Sequence, residues 1–177
     1  AVGVKPINRF NTHWLALLAR VRSHTEGVLR IAVVGVGAGG VELTLAMQYR
    51  LRRELQVLGR NADALQFHLL SAGDAVLPTH NAGVRKRFTE VLAHRGVVLH
   101  LGAKVTQVSA TSLHCESGLE VPADPVMWVT QAGGAPWLAN TGLALDGDGF
   151  VIVNDRLQSV SDSAIFAAGD VAAMHNY

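Results

Sequence analysis

The chain has 177 residues, of which 49% are hydrophobic and 16% charged, and its formal net charge is +1. This composition excludes a disordered polymer and suits a compact α/β protein. Near-neutral charge argues against nucleic acid or an anionic membrane as the main partner, and no apolar run or leader-like segment suggests a membrane span or a signal peptide.

The sequence starts at Ala1 rather than at a methionine, so a piece of a longer protein is expected. Residues 1–10 read as an extended lead-in, with Pro6 disfavouring helix at Lys5. Asn11 or Thr12 can cap a helix that turns Trp14, Leu17, Leu18 and Val21 toward a core. Arg20, Arg22, His24 and Arg30 make a basic zone, expected to be a solvated face. Leu29–Val34 is short and apolar throughout, as a strand buried on both faces should be. The helix expected next carries Leu43, Met47, Leu51 and Leu55 at i+4 steps, and Gly59 and Asn61 close it.

Residues 66–70 read as a second strand, a helix follows from Asn81 with Val84, Phe88, Val91 and Leu92 on one face, and 97–101 as a third strand. Segments 104–108, 112–116 and 119–121 then alternate between turns, as an antiparallel meander would. A buried strand is expected over 126–130, before a glycine-rich turn at 131–136. The pattern predicts an α/β fold: a Rossmann-like parallel sheet with helices, and a small antiparallel meander in place of the last crossover. Cys115, alone, can form no internal disulfide; it reads as a small buried hydrophobe and suits a reducing, cytoplasmic compartment. The histidines have no ligand spacing, His94 and His100 are expected in loops or at the surface, and no metal site is expected.

The chemistry-bearing stretch joins the first strand to its helix: Gly35-Val-Gly37-Ala38-Gly39-Gly40-Val-Glu42. In that context Gly35 allows the turn off the strand, Gly37 leaves room for a pyrophosphate, and Gly40 lets helix and strand pack closely. Free N–H groups at the helix start, with the helix dipole, attract an anion. A dinucleotide site is therefore expected at Gly35, Gly37, Ala38, Gly39 and Gly40. Glu42 reads equally as a helix-terminal acid.

These residues resemble the flavin-dependent pyridine nucleotide oxidoreductases, nearest their type II NADH dehydrogenase-like branch. The resemblance also rests on residues 69–78, on 121–133 and on 160–172, the last similar to the family's second flavin-binding motif. It implies an NAD(P)H-binding domain over 29–135, preceded by a lead-in and helix over 1–28 and followed by part of an FAD-binding segment over 136–177. It implies hydride transfer from NAD(P)H to FAD, with Glu42 near the nicotinamide and Gly133 in the turn leaving the NAD(P)H domain. Gly169 and Asp170 would form half of the flavin site. A strand is expected at 165–168, its last small residues admitting the flavin pyrophosphate, and Asp170 would accept from ribityl hydroxyls. The other flavin half-site would precede this chain, so the isolated chain is expected to hold no tightly bound FAD and to be inactive.

At the end of the second strand the family often carries an acid that accepts from the ribose 2′-hydroxyl; here the position is Ser71. Asp74 lies close and no arginine immediately follows, so the balance favours NAD over NADP. No Cys-x-x-Cys precedes the glycine turn, which disfavours the thioredoxin-reductase-like branch. No catalytic acid, base or nucleophile is expected, because the cofactor carries the reaction. The implied partner is a small-molecule electron acceptor. Residues 150–153 and 164–168, read as strands of a truncated sheet, invite pairing into a homodimer. Residues 4–10 also resemble a branch fused ahead of a selenophosphate synthetase (selenide, water dikinase). Any membrane association would reside in segments outside this chain. The alternative is a non-redox nucleotide-sensing or interaction module.

Overall fold

The computed structural model describes residues 2–3, 7–129 and 133–175, and the chain divides into two compact units, Ala1–Gln131 and Ala132–Tyr177. The expectations for Lys5 and Pro6, for Thr130 and for the Gln131–Ala132 part of the glycine-rich turn lie outside the described residues.

In the first unit the order is β1 (Val2–Gly3), α1 (Ile7–Ser23), β2 (Leu29–Val34), α2 (Ala38–Val57), β3 (Leu65–Leu70), α3 (Ala82–His94) and β4 (Val97–His100). The meander follows as β5 (Val105–Val108), β6 (Ser112–Cys115) and β7 (Glu120–Pro122), before β8 (Val126–Trp128) returns to the main sheet. Among the described residues that sheet has five parallel strands in the order β1-β8-β2-β3-β4. Val33 stands opposite Leu69 on one side and Met127 on the other.

Alternation along the strands separates two cores. Ile31, Val33, Phe67, Leu69 and Met127 pack with Leu17, Val21, Met47, Leu51, Leu55 and Leu92 of the helices. Ala32, Val34, Leu70 and Val126 pack with Leu113, Cys115 and Val121 of the meander. Both faces of β2 and β3 are thus buried, which is why apolar residues stand on both sides of each strand, with His68 a buried exception. Asn81 caps α3, its side-chain oxygen accepting the Val84 N–H at 3.0 Å.

The N-terminal expectation needs correction. The helix starts at Ile7, so no extended lead-in runs through residue 10, and Asn11 and Thr12 are exposed positions within α1. The restriction that a proline imposes falls on the residue before it, so Pro6 sets no bar to a helix from Ile7 onward. The basic zone is also more than a solvated face. Arg20 pairs with Asp124 at 2.8 Å, and Arg22 with Glu54 of α2 at 2.6 Å.

In the second unit a 3-10 turn, Pro136–Asn140, precedes β9 (Val151–Val153) and β10 (Ala172–Met174), which pair in parallel. Leu138, Val151 and Val153 form its core, with Leu143, Leu145 and Met174 packed around them. Gly134 crosses the turn at 146–149 so closely that a Cβ would lie 1.7 Å from the Gly149 carbonyl oxygen.

The strand expected at 165–168 does not form. Phe166 makes a single antiparallel bridge to Gln158, and the partner of β9 is β10, beyond Gly169. Ile165 and Phe166 are 40% and 62% exposed, so the apolar run lacks the packed neighbour that would extend a ladder through it.

Candidate functional site

The glycine turn is built where β2 ends and α2 begins. Gly35 has φ +121, a conformation open to glycine, and its N–H donates to the Leu70 carbonyl at 2.9 Å. Gly37 is the N-terminal cap residue of α2, with φ −66 and ψ 177 and no side-chain cap. The Val41 N–H donates to the Gly37 carbonyl at 3.1 Å, so the N–H groups of Ala38, Gly39 and Gly40 have no intrahelical acceptor. Ala38 and Gly39 are exposed. These amides and the positive end of the dipole of a 20-residue helix make an anion cradle.

The glycines of the turn differ in what surrounds them. A Cβ on Gly40 would meet the Gly35 carbonyl oxygen at 1.8 Å, so that glycine is required by helix–strand packing. A Cβ on Gly37 would meet nothing within 4 Å, so no protein contact requires a glycine there. A methyl group at Gly37 would enter open space. That geometry fits the diphosphate of a dinucleotide.

The loop after β3 borders the turn. The Ser71 N–H donates to the His100 carbonyl at 2.9 Å, and the Ser71 hydroxyl accepts the Gly73 N–H at 3.0 Å. Leu77, buried and with φ +51, donates its N–H to the Val36 carbonyl at 2.9 Å. This latch was not legible in the sequence, because no residue pattern marks a leucine for the left-handed region. Asp74 and Glu42 are both exposed. Gly35, Gly37, Ala38, Gly39, Gly40, Glu42 and Ser71 therefore share the first unit.

Gly133, Gly169 and Asp170 belong to the second unit. Gly133 packs against the 146–149 turn, where a Cβ would lie 3.0 Å from the Asp148 carbonyl oxygen. Gly169 turns with φ +70 and a Cβ there would meet nothing within 4 Å, which leaves room for close approach of a ligand. Asp170 is exposed on the same turn, ahead of β10. A backbone turn open to approach beside a carboxylate fits hydroxyl-bearing parts of a flavin.

Among the described residues no group of three or more His, Cys, Asp or Glu side chains could hold a metal ion, and no helix is long and apolar enough to cross a membrane. The expectation for His100 needs correction. It is half-buried at the end of β4, with Nε2 3.0 Å from Nδ1 of buried His68. Burial first, and then the charges of His100 and Arg30, push His68 down to about 4, and burial also lowers His100. Strand periodicity places His68 and Leu70 on one face, but the pair becomes visible only when β3 and β4 are known to be neighbours. Cys115 is buried, and burial raises its thiol above the ordinary value, as for an inert core cysteine.

A family model described as pyridine nucleotide-disulphide oxidoreductase matches residues 4–177. The chain belongs to that family. Among relatives within the pyridine nucleotide-disulphide oxidoreductases, the type II NADH:quinone oxidoreductase of Haemophilus influenzae is 30% identical over 153 residues, covering 84% of this chain and 34% of that protein. The demethylphylloquinone reductase NdbB of Synechocystis is 28% identical over 149 residues, covering 81% of this chain and 34% of that protein. NDH2 of Plasmodium falciparum, solved in complex with NADH, shares the fold with a TM-score of 0.76 and 16% identity, over 98% of this chain and 40% of that one. The chain spans about a third of the length of the curated relatives it matches.

Proposed function

We propose that this chain is the NAD(P)H-binding portion of an FAD-dependent oxidoreductase, with NADH as the preferred hydride donor. The observation that carries the reading is the cradle at Gly37: helix-start amides without a side-chain cap, beside a glycine whose added Cβ would meet nothing within 4 Å. The amides of Ala38, Gly39 and Gly40 would bind the diphosphate, and Ser71 would meet the adenosine ribose. Asp74, three residues beyond, opposes a 2′-phosphate by like charge, which supports NADH over NADPH. Gly169 and Asp170 would contribute to the flavin side.

When bound, the nicotinamide and flavin supply the hydride chemistry; the protein's part is positioning and electrostatics. Glu42 would stand near the nicotinamide. The names of the relatives make a quinone the class of acceptor to test first.

Calorimetric titration of the chain with NADH and NADPH tests the binding half, with tighter NADH binding expected. Anaerobic addition of NADH to protein carrying the complete flavin segment tests the redox half, where bleaching of the flavin absorbance is expected. Tight NADH binding without bleaching would instead support a nucleotide sensor.

A further inference from the structure

We infer that Leu77 is a positioning residue for the glycine turn, latching the Val36–Gly37 peptide so that the Gly37 N–H is presented to the bound dinucleotide. The inference rests on the dinucleotide reading above.

Val36 lies between two glycines, so the torsions on either side of its peptide units are poorly restrained by side chains. Something outside the turn has to fix their direction. On the strand side the Gly35 N–H donates to the Leu70 carbonyl. On the helix side the Leu77 N–H holds the Val36 carbonyl at 2.9 Å. A trans peptide is planar, with its C=O and N–H pointing in opposite directions. With the Val36 carbonyl turned to the Leu77 loop, the Gly37 N–H of the same plane turns away from that loop.

Leu77 makes this bond from φ +51, a region leucine rarely adopts. Such an outlier persists where its surroundings over-determine it. Here the side chains of Val76 and Leu77 are 1% and 3% exposed in the helix-side core. The start of the loop is tied down separately, through Ser71 N–H to the His100 carbonyl, Ala103 N–H to the Ser71 carbonyl at 2.7 Å, and Gly102 N–H to the Gly73 carbonyl at 2.8 Å. Core burial of one leucine thus sets the orientation of a peptide that reaches the anion cradle.

A latch of this kind acts on diphosphate binding and leaves adenosine recognition alone. The test compares ADP-ribose, by calorimetry, with adenosine, by ligand-observed NMR, on the full chain and on Leu77→Ala and Leu77→Met. Leu77→Ala is expected to weaken ADP-ribose about tenfold with adenosine unchanged, and Leu77→Met to restore wild-type affinity. In the wild-type chain, hydrogen exchange at the Leu77 amide is expected to slow with ADP-ribose and not with adenosine, a readout that needs no variant. Equal weakening of both ligands, no weakening of either, or an amide indifferent to ADP-ribose would overturn the latch alone. A wild-type chain that binds no ADP-ribose would overturn the dinucleotide reading as well.

Discussion

His68 Nδ1 and His100 Nε2 lie 3.0 Å apart, with the two rings stacked at a centroid distance of 5.3 Å. One imidazole must accept from the other, so at least one ring must stay neutral for the bond to persist. His68 Nε2 is buried without a hydrogen-bond partner, and a second ring proton would charge the imidazole in an apolar setting beside Arg30.

The consequence is an acid-sensitive fold. His68 titrates in the folded state near 4, against an ordinary value near 6.5. Below pH 6.5 the unfolded chain binds protons that the folded chain refuses, so stability is full above 6.5 and falls as pH drops toward 4. The slope is up to about 1.4 kcal/mol per pH unit for each histidine so held. Urea unfolding at intervals between pH 7.5 and 4.5 is expected to show this fall, and His68→Leu to reduce it. A flat profile in wild type would refute the assignment.

The two glycines at the start of α2 separate folding from binding. Gly40→Ala drives a methyl group to 1.8 Å from the Gly35 carbonyl oxygen, backbone that cannot yield cheaply. A loss of about 1–3 kcal/mol or more is expected, with lower Tm and no well-formed site. Gly37→Ala places its methyl in open space at φ −66, which alanine adopts without strain. Stability is expected to hold or to rise by about 0.4–1 kcal/mol, while NADH affinity falls because the methyl occupies the diphosphate's approach. Thermal melts and NADH titrations of the two variants read both effects; a Gly37→Ala chain that still binds NADH normally would sink the cradle.

This contrast shows what the sequence made legible. The strand–glycine–helix context at 31–42 identified the turn off β2 at Gly35 and the close helix–strand packing at Gly40, because both depend on local backbone geometry. The apolar run of β2 and the alternation of β5 to β7 likewise followed from periodicity. Non-local features did not. Leu77 meets Val36, and His68 meets His100, only through strand order and loop closure. The run at 165–168 misled because β propensity measures fit to a packed surface, and Ile165, Phe166 and Ala168 are exposed.

Glu54 joins two helices. Its carboxylate accepts from Arg22 of α1 at 2.6 Å and is also paired with Arg50 one turn earlier in α2. Hydrogen bonds from Arg50 and then Arg22 lower it below the ordinary carboxylate value. A depressed carboxylate stabilises the fold above its unfolded value and loses that contribution as pH falls through the folded one. Glu54→Gln should therefore lower Tm at pH 7 by a few degrees and leave little difference from wild type in strong acid. Equal destabilisation at both pH values would mean that Glu54 acts through packing alone.

The second unit carries its own test. Gly134 N–H donates to the Asp148 carbonyl at 2.8 Å, and the chain there passes so near Gly149 that a Cβ would meet its carbonyl oxygen at 1.7 Å and carbon at 2.3 Å. Gly149 itself has φ +84, so the turn cannot move aside without losing the Gly149 N–H bond to the Asp146 carbonyl. Gly134→Ala is therefore expected to break the 146–149 crossing and expose amides of Val151–Val153. The first unit has its own cores, so the amides of β2 and β3 should keep their protection. Hydrogen exchange resolved by residue distinguishes the cases: loss confined to 134–175 is expected, whereas unchanged protection at Val151 and Val153 would show that the crossing does not hold this sheet together.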